Sequence, residues 1–338
     1  MSILPFLHRV ANRENLISDS AQAAMEIILS GEATTAQIAA FLVALKMKGE
    51  TADEVVGFAR AMRAKAAHVD GGAEPLLDTC GTGGDGLFTF NISTVVAFVV
   101  AGAGVRVAKH GNRSISSQCG SADVLEALGV NVALTPEQMG RCIREEGIGF
   151  LFAPAVHPAV RHAQPARTEL KMRTVFNLLG PLTNPAGAVA QLVGAPSREA
   201  ADLMAKALAC LGLLKGFVVH GFDGLDEITT TGPTLVLEIT KGVIADRIIT
   251  PEDFGVPSAS LADLQGGDRH ENARITLDLL DGSRGPKRDI VLVNAAAALV
   301  TAGRAAGFPE GVELAAQSID SGSAKAKLEA LTRFTRQL

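Results

Sequence analysis

Asp78-Thr79-Cys80-Gly81-Thr82-Gly83-Gly84-Asp85-Gly86 is followed by Leu87-Phe88-Thr89-Phe90 and then by Asn91-Ile92-Ser93-Thr94, which opens an apolar segment. A second strand-like run, Val105-Arg106-Val107, feeds Lys109-His110-Gly111-Asn112-Arg113-Ser114, and Ser121-Ala122-Asp123 opens another helix. Two glycine-relaxed, hydroxyl-rich loops that each lead into a helix start are suited to wrapping backbone N–H groups around phosphates. Together they point to a sugar carrying several phosphates.

The glycine run matches G-x-G-x-x-G literally, so a dinucleotide fold has to be weighed. That fingerprint starts its helix directly after the glycines and places an acid about 20 residues later to hold a ribose. Here Leu87 to Phe90 intervene, and Gly102 to Lys109 contains no acid. No Lys-Ser or Lys-Thr follows the glycines, so the Walker pattern fails as well. A tight structural connection would not need Asp85, Thr89, Asn91, Ser93 and Thr94 around one turn and Lys109, Asn112, Arg113, Ser114, Ser116 and Ser117 around the next.

On either side of this stretch the pattern differs. Thr34 with Gln37, and Thr51 with Glu54, have capping-box spacing. Ile38, Phe41, Leu42 and Leu45 then give one helix an apolar face, and Val55, Val56, Phe58, Ala59 and Met62 repeat the habit. A small helical bundle is expected, with Gly71-Gly72-Ala73-Glu74-Pro75 as the linker after it. From Leu76 short apolar runs alternate with helices. Strands are expected at 76–78, 105–107, 130–133, 148–152, 191–193 and 217–220, with a hairpin over 235–239 and 243–249. Helix starts are expected at Thr135-Pro136-Glu137-Gln138 and at Ser197. The fold class is therefore α/β: a small helical bundle domain plus a large α/β domain with a mostly parallel central sheet.

The 338 residues exceed the size at which a single core stops growing, in keeping with two domains. Apolar content of 47% with 20% charged residues marks an ordered globular chain, and a net charge of −5 argues against a nucleic-acid partner. No apolar run is long enough to span a bilayer, and Met1 to Arg13 lacks the signal-peptide pattern, so the expectation is a cytoplasmic protein without a membrane partner. Cys80, Cys119, Cys142 and Cys210 form no C-x-x-C pair and read as small buried hydrophobes. Asp253-Phe254-Gly255 echoes a kinase magnesium triplet, but the patterns that accompany it are absent and a turn is expected.

Several long motifs, in order, carry a family resemblance. The segments 78–85, 109–113 and 120–129, then Arg173-Thr174-Val175-Phe176-Asn177-Leu178-Leu179-Gly180-Pro181-Leu182-Thr183-Asn184-Pro185, then Gly224-Leu225-Asp226-Glu227, resemble anthranilate phosphoribosyltransferases over nearly the whole chain. The resemblance implies transfer of phosphoribose from 5-phosphoribosyl-1-pyrophosphate (PRPP) to the amine of anthranilate in tryptophan biosynthesis. It also implies a helical domain of residues 1–70 with a returning segment 161–182, an α/β domain of 73–160 with 183–338, and a homodimer through the helical domains.

The same resemblance implies site residues. Gly81, Gly84, Asp85, Thr89, Asn91, Ile92, Ser93 and Thr94 from the first loop contact the donor, as do Lys109, His110, Gly111, Asn112, Arg113, Ser114, Ile115, Ser116, Ser117 and Ser121 from the second. Lys109, Asp226 and Glu227 are the expected catalytic groups, since displacing pyrophosphate depends on holding and neutralising phosphates. Two magnesium ions per subunit are implied, one on Ser93 and Glu227 and one on Asp226 and Glu227; magnesium prefers oxygen and shares it with substrate phosphates. Arg167 offers a planar fork for the anthranilate carboxylate, Asn112 and Gly81 also contact anthranilate, and His157 is placed on the acceptor path. Aniline nitrogen is neutral at pH 7 and needs no base, so His110 is expected to position and not to transfer protons. The alternatives are a pyrimidine nucleoside phosphorylase, which would leave Asp226-Glu227 and Arg167 unexplained, and a non-catalytic nucleic-acid-binding relative, which the acidic balance disfavours.

Overall fold

Capped amphipathic segments build the N-terminal bundle from α1 (Leu4–Ala11), α2 (Ser18–Ser30), α3 (Thr35–Lys48) and α4 (Ala52–Lys65). Both expected capping boxes are formed: Thr34 and Thr51 accept from the N–H groups of Gln37 and Glu54, and those side chains return the bond. Ile38, Phe41, Leu42 and Leu45 are all buried. This computed structural model describes residues 2–83, 85–114 and 119–338. Gly84, Ile115, Ser116 and Ser117, expected at the site, lie outside the described residues.

After the bundle come β1 (Leu77–Gly81), α5 (Ile92–Gly102), β2 (Val107–Gly111), α6 (Ser121–Ala127), α7 (Pro136–Glu146) and β3 (Ile148–Phe152). Three short helices follow, α8 (Ala153–Val156), α9 (Gln164–Leu170) and α10 (Phe176–Leu182). The chain then forms β4 (Ala190–Gly194), α11 (Arg198–Cys210), β5 (Lys215–Gly221), β6 (Thr234–Thr240) and β7 (Val243–Ile249). It closes with α12 (Arg269–Leu280), α13 (Pro286–Thr301), α14 (Phe308–Asp320) and α15 (Ser323–Arg336).

The seven strands are ordered β3-β2-β1-β4-β5-β6-β7. The first five in chain order run parallel, and the β6–β7 hairpin adds an antiparallel edge. Successive strand residues face opposite ways, and the cores follow that alternation. Leu192, Phe217, Val219 and Val236 join α5, α13, α14 and α15 on one face, whereas Val193, Val218, Leu235 and Leu237 join α11 and the bundle on the other. At about 25 cal/mol per Å² of apolar surface removed from water, these two layers supply the main driving force for folding. α9 packs on α3, and α10 packs on α4. Ala163, Ala166, Val175 and Leu179 belong to the bundle's core, which continues without a break into α11.

Residues 130–133 are not a strand. Val130 and Val132 are buried in strand-like alternation, but the N–H of Asn131 goes to Thr335 Oγ1 (3.1 Å) and that of Ala133 to the Asn131 side chain (3.0 Å), so no ladder forms. Strands β1 and β2 also run later than expected, to Gly81 and Gly111, which draws both loops onto the sheet's carboxyl edge. Cys80, Cys119 and Cys142 are buried as expected, while Cys210, the last residue of α11, is exposed and departs from that expectation. Asp253-Phe254-Gly255 closes a single 3-10 turn. Among the described residues, no helix is long and apolar enough to cross a membrane.

Candidate active site

Strand order reverses between β1 and β4, so the loops leaving their carboxyl ends diverge and open a crevice, the usual ligand position in such sheets. A cleft of about 310 Å³ lies there. Gly81 pairs with Gly194 across those two strand ends. A Cβ on Gly81 would stand 2.6 Å from Asp226 Oδ2, and one on Gly194 would collide with the Asp226 carbonyl. Glycine at 194 lets the backbone of the 222–231 loop lie against the strand ends, and glycine at 81 leaves room there for the Asp226 carboxylate.

Each carboxylate is held. The N–H of Gly83 donates to Asp226 Oδ2 (2.8 Å), and the N–H of Ser93, in the first turn of α5, donates to Glu227 Oε1 (3.2 Å). Two backbone donors do not offset removal from water. Burial first, then the charges of Asp85 and Glu227, push Asp226 far above the usual carboxylate range. Burial raises Glu227 from 4.5 to about 7, with Lys109 acting against the shift. Ionised, such a pair would carry more negative charge than its surroundings compensate, and oxygen donors of that kind suit a hard divalent cation. Among the described residues no three His, Cys, Asp or Glu side chains close around a metal on their own. A cation here would need further oxygens, such as the Ser93 hydroxyl and ligand phosphates.

Lys109 reaches in from β2. Its Nζ donates to the Thr79 carbonyl and to Ser93 Oγ (3.3 Å). Burial lowers its pKa, opposed by Asp78, Cys80 and Glu227. Asp78 anchors this floor: it accepts from the His110 N–H (3.1 Å) and from Asn184 Nδ2 (2.8 Å). His110 Nδ1–H donates to the Gly180 carbonyl (3.0 Å), and burial carries the ring's pKa down to about 3. A ring so far from titrating is neutral at any physiological pH.

The first-loop residues Gly81, Asp85, Thr89, Asn91, Ile92, Ser93 and Thr94 all line the cleft. From the second loop Lys109, His110, Gly111, Asn112, Arg113, Ser114 and Ser121 do so, joined by Arg167, Asp226 and Glu227. His157 does not. It sits behind His110, ring centroids 5.1 Å apart, and burial brings it to about 4. Arg113 is on the wall, but its guanidinium is engaged by Glu126 (2.6 Å) and Asp123 (3.1 Å) of α6. Asp123 also accepts from the N–H groups of Ser114 (3.1 Å) and Gly120 (2.8 Å), tying the ends of the second loop together.

Arg167 projects from α9, its Cζ 5.0 Å over the Phe176 ring. Among the described residues its guanidinium makes one hydrogen bond, to Gln164 Oε1, long at 3.5 Å, and burial lowers its pKa. A partly desolvated fork stacked on an aromatic face pairs strongly with a planar carboxylate.

Sequence reasoning missed Asn272 and Asn177 on this wall. Asn272 Nδ2 donates to Asn91 Oδ1 (3.0 Å), and Asn91 in turn donates to the Cys119 carbonyl (3.1 Å). Asn177 lies inside the 173–185 motif, where its place close after Arg167 gave a signal. Asn272 gave none, being far from either loop in the chain.

Helical bundle, switch-point cleft and phosphate-compatible loops together define a glycosyl transferase of the bundle-plus-α/β kind. Residues 4–66 match the glycosyl transferase family's helical bundle domain, and residues 73–325 match its a/b domain. The chain is 64% identical over 336 residues, 99% of each chain, to anthranilate phosphoribosyltransferase of Solibacter usitatus (strain Ellin6076). The crystal structure of anthranilate phosphoribosyltransferase from Thermus thermophilus has a TM-score of 0.92 at 45% identity, covering 98% of this chain and 99% of that one. The Saccharomyces cerevisiae enzyme in complex with PRPP and Mg has a TM-score of 0.92 at 29% identity, covering 99% and 98%. The chain belongs to the anthranilate phosphoribosyltransferase family.

Proposed function

We propose that this cleft transfers phosphoribose from PRPP to the amine of anthranilate, giving N-(5-phosphoribosyl)anthranilate and pyrophosphate for tryptophan biosynthesis. The observation that carries the reading is one cleft holding a buried, under-compensated carboxylate pair and a stacked, half-buried arginine. The first suits a metal–pyrophosphate group, the second a carboxylated aromatic amine.

Ser93, Asp226 and Glu227 would hold magnesium, the metal bound in the yeast relative, and the proposed count is two ions per subunit. Bound there, magnesium would supply positive charge against the pyrophosphate leaving group. The first-loop backbone and hydroxyls, with Asn112 and Ser121, hold the donor. Lys109 keeps Ser93 and Glu227 in register and adds positive charge beneath the phosphates. Arg167 takes the anthranilate carboxylate, with Gly81 and Asn112 alongside, and so aims the nitrogen lone pair at the sugar C1. The C1–N bond forms as the C1–O bond breaks, the electron pair leaves with pyrophosphate, and the nitrogen sheds a proton to solvent. His110, neutral and bonded to Gly180, shapes the wall; His157 supports it from behind.

The small domain comprises 1–70 with 161–182, a division supported by the packing of α9 on α3 and α10 on α4. It also carries the homodimer contact. Leu4, Ile17 and Met47, exposed by 39%, 63% and 72%, leave apolar surface on the bundle that a second copy would cover.

With protein, PRPP and magnesium, anthranilate fluorescence should decay to product. The chain has no Trp and no Tyr, so the background is low. Constant fluorescence together with phosphorolysis of a pyrimidine nucleoside would overturn the assignment.

A further inference from the structure

The 222–231 loop hangs both carboxylates on a short connection, and something must stop it from relaxing away from a cleft in which like charges repel. Asn294 stands out for this task. It interrupts the apolar run Ile290-Val291-Leu292-Val293 before Ala295-Ala296-Ala297-Ala298 in α13, and it is fully buried. An amide placed there is costly unless every group is bonded. Asn294 Oδ1 accepts from the Ile228 N–H (2.9 Å), while Nδ2 donates to the Ile228 carbonyl (2.8 Å) and to the Ile290 carbonyl (2.9 Å). Both backbone groups of the residue after Glu227 are thus gripped by one side chain.

The loop's other side is gripped as well. Asp223 accepts from the Leu225 N–H (3.0 Å) and from the hydroxyls of Thr229 (2.6 Å) and Thr231 (2.5 Å). Its carboxylate therefore bridges residues before and after the pair. α13 packs directly on α5, whose Ser93 N–H holds the Glu227 side chain. The helix that fixes the Glu227 carboxylate and the helix that fixes the following backbone are consequently one packed unit.

We infer that Asn294 and Asp223 are positioning residues that set the spacing of Asp226 and Glu227, and through it the affinity for the divalent cation. The inference rests on the metal-binding reading of that pair. Groups that orient metal ligands typically cost ~10-fold or more in metal affinity when removed. The preformed loop loses its conformational freedom at folding, so less ordering entropy opposes binding when the cation arrives.

The test uses full-length protein with PRPP and no anthranilate, with binding of Mn²⁺ followed by the loss of the free-ion EPR signal. Asn294→Leu and Asp223→Ala should each weaken Mn²⁺ binding ~10-fold, while anthranilate affinity at saturating metal changes by less than about 2-fold. Glu227→Gln is the control. Unchanged Mn²⁺ binding in Glu227→Gln would sink the metal reading itself. If that variant binds weakly but the other two bind like wild type, the positioning inference falls. Equal losses for Mn²⁺ and anthranilate would mean general loosening and would also overturn it. Should Asn294→Leu fail to fold, Asp223→Ala, on a partly exposed loop, decides the matter by the same criteria.

Discussion

The two walls of the cleft are built to different rules. On the donor side these charged groups have fixed partners: Asp226 on Gly83, Glu227 on Ser93, Lys109 on Thr79 and Ser93, Asp78 on His110 and Asn184. On the acceptor side Arg167 rests on a ring face and one long hydrogen bond, on a helix of seven residues. The contrast fits the chemistry proposed for each wall. Developing negative charge on pyrophosphate is stabilised by groups that need no rearrangement as it forms. A flat aromatic acid has only to be aimed, and a stacked guanidinium can adjust to it.

If the walls are separable, their mutants should be too. The largest effect belongs to Glu227→Gln, which would remove the proposed cation ligand: kcat/KM should fall on the order of 10²-fold or more, measured in the fluorescence assay over a magnesium titration. A loss confined to anthranilate KM would break the comparison. Next comes Arg167→Lys, which keeps the charge but loses the fork. Its anthranilate KM should rise ~10-fold while the PRPP KM stays within about 2-fold.

A subtler effect concerns pH. Glu227 titrates at about 7 folded and near 4.5 unfolded, so between those values the native state binds the extra proton. Without metal, its contribution to stability is full below 4.5 and is lost as pH rises through about 7. His110 and His157, brought down to about 3 and 4 from 6.5, act in the opposite sense: they oppose folding as pH falls below 6.5. Thermal unfolding of metal-free Glu227→Gln should therefore show a weaker decline toward pH 7 than wild type and keep the decline on the acid side. A wild-type curve with no decline near pH 7 would show that the carboxylate is not strained by burial. The smallest effect is expected for His110→Ala. Its rate should drop only a few-fold, and its pH–rate profile between about 5 and 8 should keep its shape, because a ring with its pKa near 3 stays neutral across that range.

Much of this was written locally in the chain. Capping boxes at Thr34 and Thr51, and the helix start at Thr135, are four-residue signals, and they form as expected. The run Ile148–Phe152 is a strand on both readings. Residues 130–133 show the limit of such signals: alternation reports which side chains are buried, but a strand also needs a neighbouring ladder, and there Thr335 takes the donor instead. Within the site, the two loops and Asp226-Glu227 announce themselves by clustering, as does Arg167 through the motif that follows it. Asn272 and Asn294 do not. Each acts through contacts made far away in the chain, with Asn91 and Ile228, and only the packing of α12 and α13 brings them there. The displacement of His157 from the wall is of the same kind, since the layering of one ring behind another leaves no mark on spacing.

The central claim is that one wall governs metal and donor while the other governs the acceptor. Side-by-side determination of KM for PRPP and for anthranilate in Glu227→Gln and Arg167→Lys, at fixed magnesium, tests it most directly. The account predicts crossed results, with the PRPP value rising in the first variant and the anthranilate value in the second, each by ~10-fold and with little change in the other substrate. Parallel rises in both values for both variants would contradict it.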